Sequence, residues 1–230
     1  MGALALGIIA RAEDLAVVRA LSLLKAGEKA KAYKILEARY RPTEEIQERA
    51  RIALVLALAE QKFLQKKRHL YAEFALRNYR NLESSMAIRL TRVVGDGRFD
   101  IADLDGAKRS FQFILASPTS NQTEKEYATY KLGWIYLNEK SPERAFRLWQ
   151  NWLEQDIPGE LRAPLLRDAG RAWTEASLVG KGPSLRLKLE DALGRREFFA
   201  GLVDGVDMGK KNSLHSIMSA LSTTPIFSPF

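Results

Sequence analysis

Five residues able to recognise a partner fall on one helical face: Tyr127, Tyr130, Lys131, Trp134 and Asn138. Aromatic rings with polar tips dominate binding energy where two proteins meet, so this row can stack on and hydrogen-bond to a bound segment. Packing of Tyr127 and Tyr130 against the preceding hairpin is the competing use of the same side chains. A second chemistry-bearing stretch is basic. Between Lys62 and Arg98 stand nine basic and three acidic residues, among them Lys66, Lys67, Arg68, Arg77, Arg80, Arg89 and Arg92. Such a window can hold an anionic surface or nucleic acid. It reads equally as a solvated helix surface whose Lys and Arg stems cover apolar area. The nearby Phe63, Tyr71, Phe74 and Tyr79 fall at core spacing and are not interleaved as a stacking platform.

Other chemistries find little support. Asp96, Gly97, Asp100 and Asp103 match the second half of a calcium loop, but Arg92 and Val94 occupy the first two ligand positions and supply no oxygen there. A loop whose Asp103 caps the next helix accounts for the same residues. Gly205–Lys211 lacks the first glycine and the magnesium-binding hydroxyl of a phosphate loop. No cysteine is present, and the two histidines, His69 and His215, have no ligand-type neighbour at helical spacing. Catalytic motifs such as G-x-S-x-G and H-E-x-x-H are missing. The expectation is a protein without enzymatic activity, cofactor or metal.

The stretch around Tyr127–Leu153 reads as two amphipathic segments meeting at Glu139–Pro142. The first carries Leu132, Gly133 and Tyr136, the second Ala145, Trp149 and Trp152. Small residues at 133 and 145 let two helices approach, and the large ones fill the seam. This unit resembles the tetratricopeptide repeat, a helix–turn–helix of 34 residues with a W-x-x-L-G-x-x-Y run followed by an Ala and an aromatic. The match is carried by Leu132, Gly133, Tyr136, Ala145 and Trp149, and it departs at Thr129, where the family has its first Trp. The resemblance implies that Tyr127, Tyr130, Lys131, Trp134 and Asn138 line a concave groove holding a partner segment. Lys131 and Trp134 stand where the family's carboxylate clamp needs Asn, so a clamp for chaperone tails is not implied.

The rest of the chain follows suit. Glu13–Ala26 and Glu28–Tyr40 read as a helical pair turned by Gly27, with Ala20, Ala32 and Leu36 at the family's Gly, Ala and large-residue sites. Thr43 caps a helix running to about Gln65, Lys66–Arg68 turns, and Leu70–Leu82 returns. A helix from Ser84 or Ser85 to Val94, a break over Gly95–Ala102 and a helix over Asp103–Leu115 precede the Tyr127 unit. Leu161–Leu178, a turn at Gly180–Pro183 and a short return helix over Ser184–Leu193 follow it. Ala32, Ala72, Ala107 and Ala145 mark the return helices at intervals of 40, 35 and 38 residues, within the range of helical repeats. The expectation is all-α: a right-handed α-solenoid of about five degenerate hairpins over residues 13–193.

Residues 194–230 are read as a short capping helix around Phe198–Val203, a charged Gly-rich loop over Asp204–Asn212, one last helix over Leu214–Leu221, and an extended tail. Residues 1–12 are apolar and end in Ala10-Arg11-Ala12. They read either as the remnant of a secretory signal or as a helix extension. No stretch reaches the roughly 18–20 apolar residues that span a bilayer. With 46% hydrophobic residues, the 230-residue chain can bury a core, and its net charge of +8 invites acidic partners. The Leu161–Gly170 run resembles repeat proteins of bacterial cell envelopes. That implies a periplasmic component of an envelope complex, with a cytoplasmic location as the alternative. The function expected is a scaffold binding another protein. The alternative is a nucleic-acid- or anionic-surface-binding protein using the basic window.

Overall fold

The computed structural model describes residues 15–41, 45–59, 62–155, 159–178 and 192–207, and among them every regular element is a helix. The chain forms two compact units, residues 1–120 and 121–230. In the first unit, α1 (Leu15–Lys25) pairs with α2 (Lys29–Arg39), α3 (Ile46–Leu58) with α4 (Arg68–Asn78), and α5 (Ser84–Asp100) with α6 (Leu104–Ala116). In the second, α7 (Gln122–Asn138) pairs with α8 (Pro142–Leu153) and α9 (Arg162–Leu178) with α10 (Ala192–Asp207). Within each unit every helix also packs on its neighbour in the chain. No helix among the described residues is long and apolar enough to cross a membrane.

Three of the five hairpins among the described residues are built alike. The turn residues Gly27, Ala102 and Lys140 all have positive φ, at 80°, 63° and 58°. Each closes the same pair of bonds. The amide after the turn residue reaches back across the last helical turn (Glu28 to Leu23, Asp103 to Arg98, Ser141 to Tyr136, 2.8–2.9 Å), and the turn residue's own amide bonds to the next carbonyl. This is a Schellman stop, which satisfies the last carbonyls of the first helix. Five residues later comes a fully buried alanine (Ala32, Ala107, Ala145), and four after that a fully buried large residue (Leu36, Phe111, Trp149). Seven residues before each turn stands a small residue on the first helix: Ala20, Gly95 or Gly133. The knob fits the hole. The Phe111 ring occupies the space where a Gly95 Cβ would sit 2.9 Å away, and the Trp149 indole occupies that of Gly133.

A Cβ-bearing residue in the left-handed region costs roughly 1–2 kcal/mol, and introducing glycine gives back about 0.4–1 kcal/mol through the unfolded chain. Lys140→Gly should therefore stabilise the 121–230 unit by about 0.5–1 kcal/mol. The check is a higher urea midpoint at unchanged slope.

The repeat geometry corrects the expected break over Gly95–Ala102. Helix α5 runs on to Asp100, and only Ile101–Asp103 turn. Gly95 receives Phe111, and Gly97 lies against the buried ring of His69, so both glycines serve close packing inside a helix. Asp96 and Asp100 consequently lie on α5 and form no calcium loop. Asp103 does cap α6, accepting from the Gly106 amide at 2.9 Å.

The second hairpin departs from the pattern. Its first helix ends at Leu58, short of the expected Gln65, and Lys62–Lys67 form a 3₁₀ turn before α4, which stops at Asn78. Glu45 supplies the cap of α3, accepting from the Gln47 and Glu48 amides. Those two bonds hold its carboxyl below the usual range. Thr43 lies outside the described residues. Ile52–Ala57 are all buried, so α3 is enclosed on most sides over this stretch.

In the fifth hairpin, Gly170 faces the Phe198 carbonyl, Gly201 the Arg167 carbonyl and Gly205 Thr174, so α9 and α10 touch backbone to backbone. The expected short capping helix is a 16-residue partner of α9 that spans the 193/194 boundary. Gly205 belongs to it and to no loop, because its missing side chain admits α9. The expected elements over 179–191 and 208–230, and the signal-like residues 1–12, lie outside the described residues.

Candidate recognition site on the fourth hairpin

Helix α7 starts from a reciprocal cap: Asn121 accepts from the Glu124 amide and Glu124 accepts from the Asn121 amide, both at 2.9 Å. Its buried face carries Ala128, Thr129, Leu132, Gly133 and Ile135. Insertion of Trp149 fixes the rotation of the helix, since the indole N–H donates to the Thr129 carbonyl at 3.2 Å. Thr129 thus lies beneath a tryptophan from the return helix. That rotation places the five-residue row on the neighbouring face.

Of the row, only Asn138 is fully exposed. Tyr130 is half-buried, stacked on Trp149 with centroids 6.3 Å apart and edge-on to Trp134 at 6.5 Å. Trp134 is half-buried too, and its indole N–H donates to an Asp168 carboxylate oxygen at 3.1 Å. The Arg171 guanidinium lies 5.6 Å from its ring centroid. The reason is α9, which supplies both Asp168 and Arg171 and belongs to the apolar cluster that Tyr130 and Trp134 join. Tyr127 carries the Lys131 ammonium 5.5 Å from its ring centroid, and both side chains are half-buried. Exposed Asn138 donates to the Trp134 carbonyl at 2.9 Å.

Sequence reasoning missed Asp168 and Arg171 as parts of this site. A signal existed, for Asp168 follows Trp134 by 34 residues, one repeat length. Asp168 also lies close enough to Tyr130 for the phenol to act on its carboxyl. Burial pushes its carboxyl above the usual aspartate range. The nearby Tyr130 hydroxyl, the Trp134 hydrogen bond and the charges of Arg171 and Arg167 act the other way. Arg167 is tied to Asp204 of α10 at 2.8 Å, and Arg171 to Glu175 at 2.8 Å.

The basic window is dispersed over the 3₁₀ turn, α4, the α4–α5 turn and α5. Lys67 pairs with Glu37 at 2.7 Å, and Arg68 donates to the Ala57 carbonyl at 2.9 Å. Arg77 and Arg98 share Glu73, and Arg92 lies 4.0 Å from Asp96. Lys66 and Arg80 are exposed, and Arg89 is half-buried. Among the described residues, no group of three or more His, Cys, Asp or Glu is placed to hold a metal ion. Comparison with protein-family models, curated proteins and solved structures finds no match to this chain.

Proposed function

We propose that this protein is a non-enzymatic, tetratricopeptide-like helical-repeat scaffold that binds a segment of another protein along the first helices of the 121–230 unit. The carrying observation is the shared hairpin construction: a small residue, a left-handed turn, a buried alanine and a buried large residue at constant offsets in three hairpins. Repeats of this kind, stacked as a right-handed solenoid, present their first helices as a preformed surface for extended or helical segments. Tyr127, Lys131, Trp134 and Asn138, with Arg171 beside them, are the recognition residues. A place in a bacterial envelope complex, in the periplasm, fits the Leu161–Gly170 run.

The test is affinity capture from native extract at two salt concentrations, using wild type, Lys131→Glu and Trp134→Phe. Far-UV circular dichroism confirms that each variant folds. A protein retained at both salts and lost with either variant supports the scaffold. Capture unchanged by both variants overturns it.

The anionic-surface reading rests on one observation: residues 1–120 hold 21 basic and 14 acidic residues, against 15 and 14 in residues 121–230. Several of those bases already face carboxylates, which weakens the field they project. Binding that collapses steeply with salt and ignores both variants would favour it.

A further inference from the structure

We infer that Asp168 is a protonation-operated latch on Trp134, the regulating element of the recognition row. The latch stands on geometry. A carboxylate oxygen on α9 accepts from one donor on α7, the Trp134 indole N–H at 3.1 Å. It does so from a part-buried position among the rings of the 121–230 cluster. The groups around it are few. Helix α7 offers Tyr130 and Trp134, and α8 the apolar Trp149 ring stacked on Tyr130. Helix α9 itself offers Arg167 and Arg171, the latter bonded to Glu175. From α10, Asp204 and Glu197 act on Arg167.

An ionised carboxylate is an acceptor only, and a hydrogen bond to it is roughly twice as strong as one between neutral groups. Protonated, the same group keeps one weaker acceptor and gains a donor, so its hold on the indole slackens. Burial already raises the carboxyl above the ordinary aspartate range. A carboxyl so raised binds its proton more tightly in the folded chain than in the unfolded one. The folded state therefore gains stability as pH falls through the folded value, and the latch opens without unfolding the unit. Trp134 is then free to turn toward a bound segment. That last role rests on the function proposed above; the latch itself does not.

The chain has four tryptophans, all in the 121–230 unit, so ¹⁵N-labelled indoles report on it directly. In full-length protein titrated from about pH 8 to 4, the Trp134 indole resonance, assigned by its loss in Trp134→Phe, should move in a single step. Its midpoint should lie above the ordinary aspartate value of about 3.9. Its hydrogen exchange, taken relative to that of a free indole at the same pH, should quicken about tenfold across that step. The Trp149 indole, bonded to a backbone carbonyl, should stay in place. Asp168→Asn should abolish the step while leaving the other three indoles unmoved. A Trp134 indole that stays fixed, or the same step in Asp168→Asn, overturns the latch. Capture indifferent to Lys131→Glu and Trp134→Phe, alongside a titrating indole, overturns the recognition reading and leaves the latch standing.

Discussion

Trp149→Ala should lower the unfolding free energy of the 121–230 unit by about 3–5 kcal/mol, the usual cost of truncating a fully buried large aromatic. The side chain is wholly enclosed, fills the hollow above Gly133, stacks on Tyr130 and donates to the Thr129 carbonyl. Truncation forfeits all three contacts and the burial at once. Collapse cannot repair the loss, because the facing residue is a glycine with no side chain to swing in. Against a typical total of about 5–15 kcal/mol, the unit would stand near its threshold. Guanidinium titration followed by the remaining tryptophans measures it, and those probes report this unit alone. Far-UV circular dichroism sums over the helices of both units, so the part of its transition left unshifted by the substitution serves as the reference. A loss below about 1 kcal/mol would mean that Trp149 is not the wedge described. A double-mutant cycle sharpens the test: Gly133→Ala should cost less in a Trp149→Phe background than in wild type, because the smaller ring withdraws from the added methyl.

Gly201→Ala should destabilise the same unit, by about 1–2 kcal/mol net, although alanine is the better helix former by about 1 kcal/mol. The added Cβ would meet the Arg167 carbonyl oxygen and lie 2.7 Å from its carbon. Backbone cannot rotate aside, so α9 and α10 must separate along the interface that Gly170 and Gly205 also shape. Overpacking of this kind costs about 1–3 kcal/mol and sometimes more. Gly95→Ala is the control, because there the added methyl meets the outer edge of the Phe111 ring at 2.9 Å, and a ring can shift. It should cost less than Gly201→Ala. A Gly201→Ala protein with a raised urea midpoint would refute the close α9–α10 contact.

The amino-acid order by itself determined the helices and most of their pairing. The apolar period of 3.6 and the spacing of buried alanines are local properties, and Ala32, Ala72, Ala107 and Ala145 are all fully buried on return helices. The same order held a clue that propensity obscured. Gly95 precedes Ala107 by 12 residues, as Gly133 precedes Ala145, yet two glycines in three residues read as a break. Only packing decided otherwise, because a helical glycine becomes favourable when a partner's ring fills the space it leaves. The site divides the same way. Periodicity put Tyr127, Tyr130, Lys131, Trp134 and Asn138 on one face of α7, since residue spacing fixes direction about a helix axis. What covers that face is a contact between residues a whole repeat apart. Asp168 and Arg171 reach Trp134 because the Gly133–Trp149 and Gly170–Phe198 approaches set the separation of α7, α8, α9 and α10, and no local pattern encodes that separation.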